Sequence, residues 1–242
     1  MENSGHISLS SQMMLRQHLD VVANNLANIN TNAYRAERLV FAEQLQEVQN
    51  GDSLSFVQGL ATIRDLTEGQ KMSTGGDLDL AIAGRGFFEV TGEGGAYYTR
   101  DGAFRLDDDG ELVTRAGHKV MDDGGSPIQL DQVDGPIAIG KDGVISSGDG
   151  PLGKLKVVAF ENEQSLVKLR AGLYDADGQT PEAAENFELL QGVLEKSNVI
   201  GIAEMNRMMQ IVQSYKSISS LVDQEHERQR RAIEILGASM VS

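Results

Sequence analysis

The sequence contains no cysteine and no tryptophan, and only 4 of its 242 residues are proline. Without cysteine the chain cannot form disulfides, bind zinc through thiolates, hold an iron–sulfur cluster or use a thiol nucleophile. Basic residues are also scarce, because 21 lysines and arginines stand against 36 aspartates and glutamates, a formal net charge of −15. Phosphate groups are recognised by basic surfaces, so this charge argues against nucleic-acid partners and against docking on an anionic membrane.

Long apolar runs are absent as well. No run approaches the roughly 18 residues that a membrane-spanning helix requires, so direct membrane insertion is not predicted. The first four residues, Met1 to Ser4, have neither the positive charge nor the apolar stretch of a cleaved secretory signal. Hydrophobic residues make up 40% of the chain and charged residues 24%, which is the composition of a folded globular protein.

Apolar residues near the N-terminus recur at the spacing of a packed helix. The intervals alternate between four and three, a period of 3.5 that is typical of coiled coils and helical bundles. The residues that follow this pattern are Leu15, Leu19, Val22, Leu26 and Ile29. The asparagine-rich stretch 28–32 then predicts the end of the helix, since short polar side chains compete for backbone hydrogen bonds. A second helical piece is predicted over residues 36–49.

The middle of the chain, from about residue 60 to 160, has the period of two that indicates β-strands. Hairpin turns are predicted at Asp107–Gly110 and Gly140–Gly143, and residues 154–160 alternate as a strand does. Most of the 27 glycines lie in this middle region, where turns require positive φ angles.

A helical period returns from about Asn198 to Leu236, with Asn198 as a candidate N-cap. Heptad-spaced apolar positions include Met205, Met208, Val212, Tyr215 and Val222. A helix of this length extends about 57 Å, far beyond what a small β domain can cover. We therefore expect its apolar stripe to pack against the N-terminal helix and, because the stripe is wide, against other subunits.

These patterns predict an α+β fold, in which the N- and C-terminal helices pair as a coiled-coil or bundle stalk flanking an inserted all-β domain. The predicted domains are an N-terminal helical segment of the stalk with a short β or loop extension (1–60), a β-rich middle domain (61–185) and a C-terminal helical segment (186–242). Two helices alone bury little area, so the ends of an isolated monomer are expected to be partly disordered.

Candidate catalytic and metal sites fail on spacing. The four histidines have no second ligand at metal-binding distance along a common face. Gly84-Arg85-Gly86 lacks the third glycine of a dinucleotide-binding loop and is followed by a strand pattern. No nucleophile elbow, phosphate-binding loop or zinc-protease string occurs. We predict no enzyme activity and no cofactor.

Several strings nevertheless resemble a known family, the bacterial flagellar rod and hook proteins, in the same order along the chain. They are NNLANINTNAYRA (24–36), TGGDLDLAIAGRGFF (74–88), YTRDGAF (98–104), GELVT (110–114) and LEKSNV (194–199). Ala33 replaces the usual glycine of the first string, which disfavours left-handed backbone there. The ending over residues 225–234 is similar to that of proximal-rod members, with a distal-rod protein as the alternative.

The resemblance implies a structural subunit of the flagellar basal-body rod, the drive shaft for motility. It further implies export through the flagellar type III export apparatus without a cleaved signal peptide, a periplasmic location, self-assembly with other rod proteins, and terminal helices that form the inner tube of the rod. The residues predicted to form subunit interfaces are Leu15, Leu19, Val22, Asn25, Leu26, Asn28, Ile29, Met205, Met208, Val212, Tyr215 and Val222.

A second hypothesis, from a different class, is an acidic periplasmic or extracellular β module that binds calcium. Its candidate ligands are carboxylates in the predicted turns of the middle region, namely Asp101, Asp107, Asp109, Asp122 and Asp123.

Overall fold

Two long helices and a set of short antiparallel strands make up the fold. A computed structural model describes residues 2–47, 53–92, 94–130, 135–148 and 150–239. Helix α1 spans Glu2–Ala27 and helix α2 spans Gly201–Ser239, with 26 and 39 residues respectively. In the part of the chain described, neither helix carries an apolar stretch long enough to cross a bilayer.

The strands lie between the helices in the sequence. In chain order they are β1 Glu37–Glu47, β2 Ser53–Arg64, β3 Lys71–Ser73, β4 Asp79–Gly84, β5 Phe87–Gly92, β6 Gly95–Thr99, β7 Gly102–Leu106, β8 Leu112–Thr114, β9 Lys119–Val120, β10 Ala138–Ile139, β11 Val144–Ser147, β12 Gly150–Lys154, β13 Val157–Ala159, β14 Val167–Lys168, β15 Leu173–Asp175, β16 Glu182–Ala183, β17 Phe187–Gln191 and β18 Val193–Glu195. Short 3-10 turns occupy Glu163–Ser165 and Arg170–Gly172. The predicted architecture of terminal helices flanking a β region is confirmed.

The chain divides into two compact units. Unit 1 comprises residues 1–27, 37–65 and 199–242, and therefore contains α1, α2 and the β1–β2 pair. Unit 2 comprises residues 28–36 and 66–198 and contains the remaining strands. The domain boundaries 1–60, 61–185 and 186–242 stay a prediction, because compactness of the chain does not test where independently folding domains end.

The prediction of a second helix over residues 36–49 is wrong. Residues 37–47 form β1, which pairs antiparallel with β2 from Glu37 opposite Arg64 to Glu47 opposite Ser53. The register shifts between Phe41 and Glu43, as in a β-bulge. The local sequence is ambiguous in period, and the partner strand, rich in β-forming residues, decides the outcome.

Unit 2 is built around one large antiparallel sheet. Its strands lie in the order β14-β15-β6-β5-β9-β8-β7-β4-β17, and β13 joins it by pairing with β5 and β16. A three-stranded sheet, β10-β11-β12, and a two-stranded sheet, β18-β3, complete the unit. Both predicted hairpins are confirmed, since β7 pairs with β8 and β10 pairs with β11 across their glycine-containing turns. The strand predicted over 154–160 is interrupted, because Leu155 bridges to Asp122 between β12 and β13.

The core of unit 2 consists of two apolar clusters. The larger one places Phe88 and Phe104 edge to face, with 5.1 Å between ring centroids. The smaller one packs Phe87, Tyr98 and Phe160 in the same edge-on manner. Edge-to-face contacts match the positive rim of one ring to the negative face of another, which adds to the gain from burial.

Two local expectations fail near the helix junctions. Asn198 does not cap α2, which begins at Gly201. Instead its side chain accepts a hydrogen bond from the Ala36 amide (2.7 Å) and donates one to the Thr67 carbonyl (2.9 Å). Ala33 adopts left-handed backbone, with φ of 53°, although alanine there was expected to disfavour it. The surrounding contacts therefore hold this residue in a conformation that glycine adopts more readily.

The pairing of β4 with β7 predicts a sharp effect of one methyl group. At Gly102, opposite Leu80, an added Cβ would lie 2.0 Å from the Leu80 carbonyl oxygen. We expect Gly102→Ala to lower the free energy of unfolding by about 3 kcal/mol, since backbone must move to relieve the overlap. Urea unfolding of the full chain measures the change.

The matched control is Gly153→Ala, where an added Cβ meets no atom within 4 Å. This control is expected to change stability by less than about 0.5 kcal/mol, as ordinary surface substitutions do. Equal effects of the two substitutions would contradict the close approach at Gly102.

Candidate assembly surface and buried ion network

The two helices of unit 1 pack through one apolar face each. Leu15, Val22 and Ile211 are buried in this contact, with exposures of 9%, 1% and 5%. The half-buried residues around them are Met14, Leu19, Met208 and Ile218. The contact therefore contains three of the seam positions predicted on α1 and one predicted on α2.

A buried polar cluster continues this contact toward the end of α1. The side chain of Asn25, 1% exposed, donates a hydrogen bond to the Glu37 carbonyl and accepts one from the Glu37 amide, at 2.8 and 2.9 Å. Its amide group also donates to Glu204 on α2, at 3.3 Å. Glu204 pairs with Arg207 in turn. Asn25 thus fixes where the chain turns from α1 into β1, and a residue predicted as an interface position has a role within the chain.

His18 lies beside this cluster on α1. Burial lowers the pKa of His18 below its ordinary value of 6.5, and the positive charge of Arg207 lowers it further, while Glu204 opposes them. At pH 7 the neutral form of the His18 imidazole is therefore favoured in the folded protein.

The remaining predicted interface residues are not buried within the chain. Leu26, Asn28, Ile29 and Val222 are half-buried. Met205, Val212 and Tyr215 are exposed to 55%, 36% and 42%. The face of α2 that contacts α1 is centred on Ile211, one position before the predicted Val212.

A second apolar stripe runs along α2 beside the contact face. Ile202, Met205, Met209 and Val212 follow one another at intervals of three, four and three, so they lie on one side of the helix. Their exposures run from 36% for Val212 to 77% for Ile202. Contiguous exposed apolar surface of this kind is a candidate site of association.

Unit 2 contains an ion network that the sequence reasoning missed. The carboxylate of Glu195, 1% exposed, lies 2.7 Å from the Arg35 guanidinium and 3.3 Å from that of Arg100. The amide of Gly69 donates to the same carboxylate at 2.8 Å. Glu68, at the rim, lies 3.8 Å from Arg100 and accepts a hydrogen bond from the Gly84 amide. All the charges in the interior of this network are paired.

The two arginines also bind backbone carbonyls. Arg100 donates to the carbonyls of Gly86, Gly84 and Ile82, at 2.9, 3.1 and 3.3 Å, and Arg35 donates to that of Thr67. Burial lowers the pKa of Arg35 from its ordinary value, an effect that the neighbouring Glu195 opposes. Arg35, Arg100 and Glu195 each lie inside one of the strings that carry the family resemblance, and this was the sequence signal that could have drawn attention to them.

Three of the five aspartates proposed as calcium ligands, Asp101, Asp107 and Asp122, accept hydrogen bonds from within the chain. Asp107 accepts hydrogen bonds from the amides of Asp109 and Glu111, and Asp122 accepts one from Ser126, so these carboxylates cap turns. Over the described ranges, no three carboxylate or imidazole side chains are placed to hold a metal ion together.

Asp101, which lies half-buried just before β7, predicts how the stability of the fold changes with pH. It accepts hydrogen bonds from the Ala103 amide (3.1 Å) and the Asn32 side chain (3.3 Å). Burial nevertheless raises the pKa of Asp101 above its ordinary value of 3.8. A pKa raised on folding favours the folded state at low pH, and this contribution disappears as pH rises through the folded-state value.

We therefore expect Asp101→Asn, which keeps the accepting oxygen and removes the charge, to be more stable than the parent chain at pH 7. The difference should vanish near pH 3.5, below the unfolded-state pKa. Urea unfolding between pH 3.5 and 8 measures it, with the exposed Asp109→Asn as the control for charge removal. A variant that is less stable than the parent at pH 7 would contradict the burial argument.

Three family descriptions match this chain. Residues 7–35 match "Flagella basal body rod protein", residues 81–147 match "Flagellar hook protein FlgE/F/G D1 domain" and residues 190–235 match "Flagellar basal body rod FlgEFG protein C-terminal". Their order and positions agree with the resembling strings in the sequence.

Full-length relatives agree with these matches. The flagellar basal-body rod protein FlgF of Caulobacter vibrioides is 40% identical over 242 residues, covering 98% of this chain and 99% of that protein. FlgF of Rhizobium meliloti is 33% identical, covering 99% and 100%. The rod protein FlgG of Bacillus subtilis is 29% identical, covering 94% and 96%. Neither the distal-rod alternative nor the calcium module is favoured by these matches. The chain therefore belongs to the flagellar basal-body rod protein family as a FlgF-like structural subunit, not an enzyme.

Proposed function

We propose that this chain polymerises into the rod through its terminal helices, with each α2 contacting helices of neighbouring subunits. The observation that carries the proposal is the exposed stripe formed by Ile202, Met205, Met209 and Val212. The face of α2 centred on Ile211 is already occupied by α1, so the stripe needs a partner outside the chain. Family membership supports other rod and basal-body proteins as those partners.

The chemistry of the stripe suits a neighbour that is similar to this chain without being identical. Methionine is flexible and polarisable, and packs against surfaces of different shape at low strain. Contacts between different faces of successive subunits do not close on themselves, and they generate a helical filament. In this arrangement α1 and α2 form one pair within a larger helical bundle, with coiled-coil packing at the seams.

The predicted residues on α1 have two proposed roles. Leu15, Leu19 and Val22 keep α2 in place, and so present its second stripe. Leu26, half-buried in the last turn of α1, and Ile29, half-buried in the turn after it, are proposed to contact a neighbour's helix. Asn28 is half-buried beside them.

We also propose export through the flagellar type III export apparatus and assembly in the periplasm. The chain has no cysteine, so it cannot form wrong disulfides when it folds in an oxidising compartment. Its net charge of −15 keeps the unassembled subunit soluble and makes nucleic acid an unsuitable partner.

Substitution within the stripe tests the assembly surface. We expect Met205→Asp to reduce incorporation into rods at least 100-fold, because an isolated carboxylate buried in an apolar contact costs more than about 3 kcal/mol. Leu26→Asp should have the same effect. Measurements are motility, recovery of the variant in purified basal bodies, and thermal unfolding of the free protein.

The matched control is Gln210→Asp, which places the same charge on an exposed position of α2 away from the stripe. This control should assemble as the parent does. Normal motility and incorporation of Met205→Asp would refute the proposed surface, provided that both variants fold.

Limited proteolysis tests whether ordering of the helices is coupled to docking. For the free subunit, we expect cleavage to remove roughly forty residues from each end and to leave a resistant β-rich fragment, because termini with few long-range contacts open most easily. The same ends should be resistant in assembled rods. Uniform resistance of the free subunit would contradict the coupling, while leaving the stripe itself untouched.

A further inference from the structure

The segment Asn28–Ala36, which we call the junction segment, is held against the rest of unit 2 by contacts with residues far away in the sequence. The amide of Ala33 donates a hydrogen bond to the Glu195 carbonyl at 2.8 Å, and the amide of Asn198 donates to the Tyr34 carbonyl at 3.2 Å. Four consecutive residues, 33–36, are buried. The segment is thus closed onto residues 195–198, more than 150 positions later in the chain.

Side chains reinforce these backbone contacts. The guanidinium of Arg35 meets the buried Glu195 carboxylate at 2.7 Å, and the Lys168 ammonium lies 4.0 Å from the centre of the Tyr34 ring. A cation over an aromatic face is attracted by the electron density of the ring. Two charged contacts thus add to the burial of Ala33, Tyr34 and Ala36 in holding the junction segment closed.

The apolar core of unit 2 does not include the junction segment. Neither of its two clusters contains a residue from positions 28–36. Opening of the segment therefore removes nothing from these clusters. Glu195 would also keep a charged partner, because Arg100 lies 3.3 Å away on the other side of the carboxylate.

One residue of the closed segment is strained. Ala33 has φ of 53°, in the left-handed region, where the Cβ of alanine approaches the backbone too closely. The contacts on either side of Ala33 offset this cost while the segment is closed. The closed segment combines charge contacts and local backbone strain, and it contributes no residue to the two apolar clusters. A segment of this kind can exchange between a closed and an open state.

We propose that the junction segment is a conformational latch, which opens and closes as a separate unit while the β core of unit 2 stays folded. In the open state it is a flexible tether of nine residues between α1 and β1, and in the closed state the Arg35–Glu195 pair fixes it. Every contact of the latch lies within one chain, so the proposal does not depend on rod assembly.

Hydrogen exchange of the full-length chain tests the latch. The reporters of the closed state are the amides of Ala36 and Asn198, and the reporter of the core is the amide of Leu112, which donates to the Ile128 carbonyl. Arg35→Gln should lower protection of Ala36 and Asn198 about 100-fold, since a buried ion pair loses one partner. Protection of Leu112 should change less than threefold.

A second variant acts in the opposite direction. Ala33→Gly relieves the left-handed strain, and should raise protection of Ala36 and Asn198 about threefold to tenfold, with Leu112 again unchanged. The control is Arg85→Gln, which removes the partner of Glu163 in the same unit without touching the junction segment. Arg85→Gln should leave the protection of Ala36 and Asn198 relative to that of Leu112 as it is in the parent chain.

Two results would overturn the proposal. Unchanged protection of Ala36 and Asn198 in Arg35→Gln would show that the ion pair does not hold the segment. Equal losses at the latch and at Leu112 would show that the segment opens only when the core unfolds. If Arg35→Gln fails to fold, Ala33→Gly decides: a selective gain at the latch supports the proposal, and no gain or a gain shared with Leu112 contradicts it.

Discussion

The carboxylate of Glu195 is the buried charge on which the arrangement of unit 2 depends. A carboxylate that is 1% exposed is tolerable only when its charge is matched, and it is matched here by Arg35 on one side and Arg100 on the other. These partners come from widely separated parts of the chain, and Arg100 also binds three carbonyls around β4 and β5. The charge requirement thus helps to bring together the motif strings at 24–36, 74–88, 98–104 and 194–199, which backbone contacts such as Leu80 opposite Gly102 and Ala33 to Glu195 also join.

Helix α2 combines two different apolar faces that the sequence pattern merged into one. The face around Ile211 is satisfied by α1, whereas the stripe from Ile202 to Val212 is not covered within the chain. A heptad pattern with additional apolar positions is compatible with either face packing against α1. Periodicity therefore predicted a wide apolar stripe that needs more than one neighbouring helix. It could not decide which positions the first neighbour takes, because that depends on the polar contact between Asn25 and Glu204.

Features that neighbouring residues determine were predicted from the sequence, whereas features that depend on residues far apart in the chain were not. The terminal helices and the hairpin turns at Asp107–Gly110 and Gly140–Gly143 are local, and were predicted. Strand β1 was mistaken for a helix because its pairing with β2 lies outside the window that periodicity examines. The Arg35–Glu195 pair joins positions 160 apart, and no local pattern shows that these two residues pair with each other.

The side chain of Asn198, which was expected to cap a helix, instead joins residues near the boundaries of unit 2. The backbone passes between the two units at four places, after residues 27, 36, 65 and 198, and the side chain of Asn198 binds both Ala36 and Thr67. Ala36, Thr67 and Asn198, three residues of unit 2 at or near its boundaries along the chain, are therefore joined by one amide group. A β unit in which three of four boundaries are tied together is a detachable module, because its loops can lengthen or its strands be exchanged without displacing these points of attachment. Replacing residues 68–197 by a different β domain, while β1 and β2 stay in place, is an engineering operation that this geometry permits.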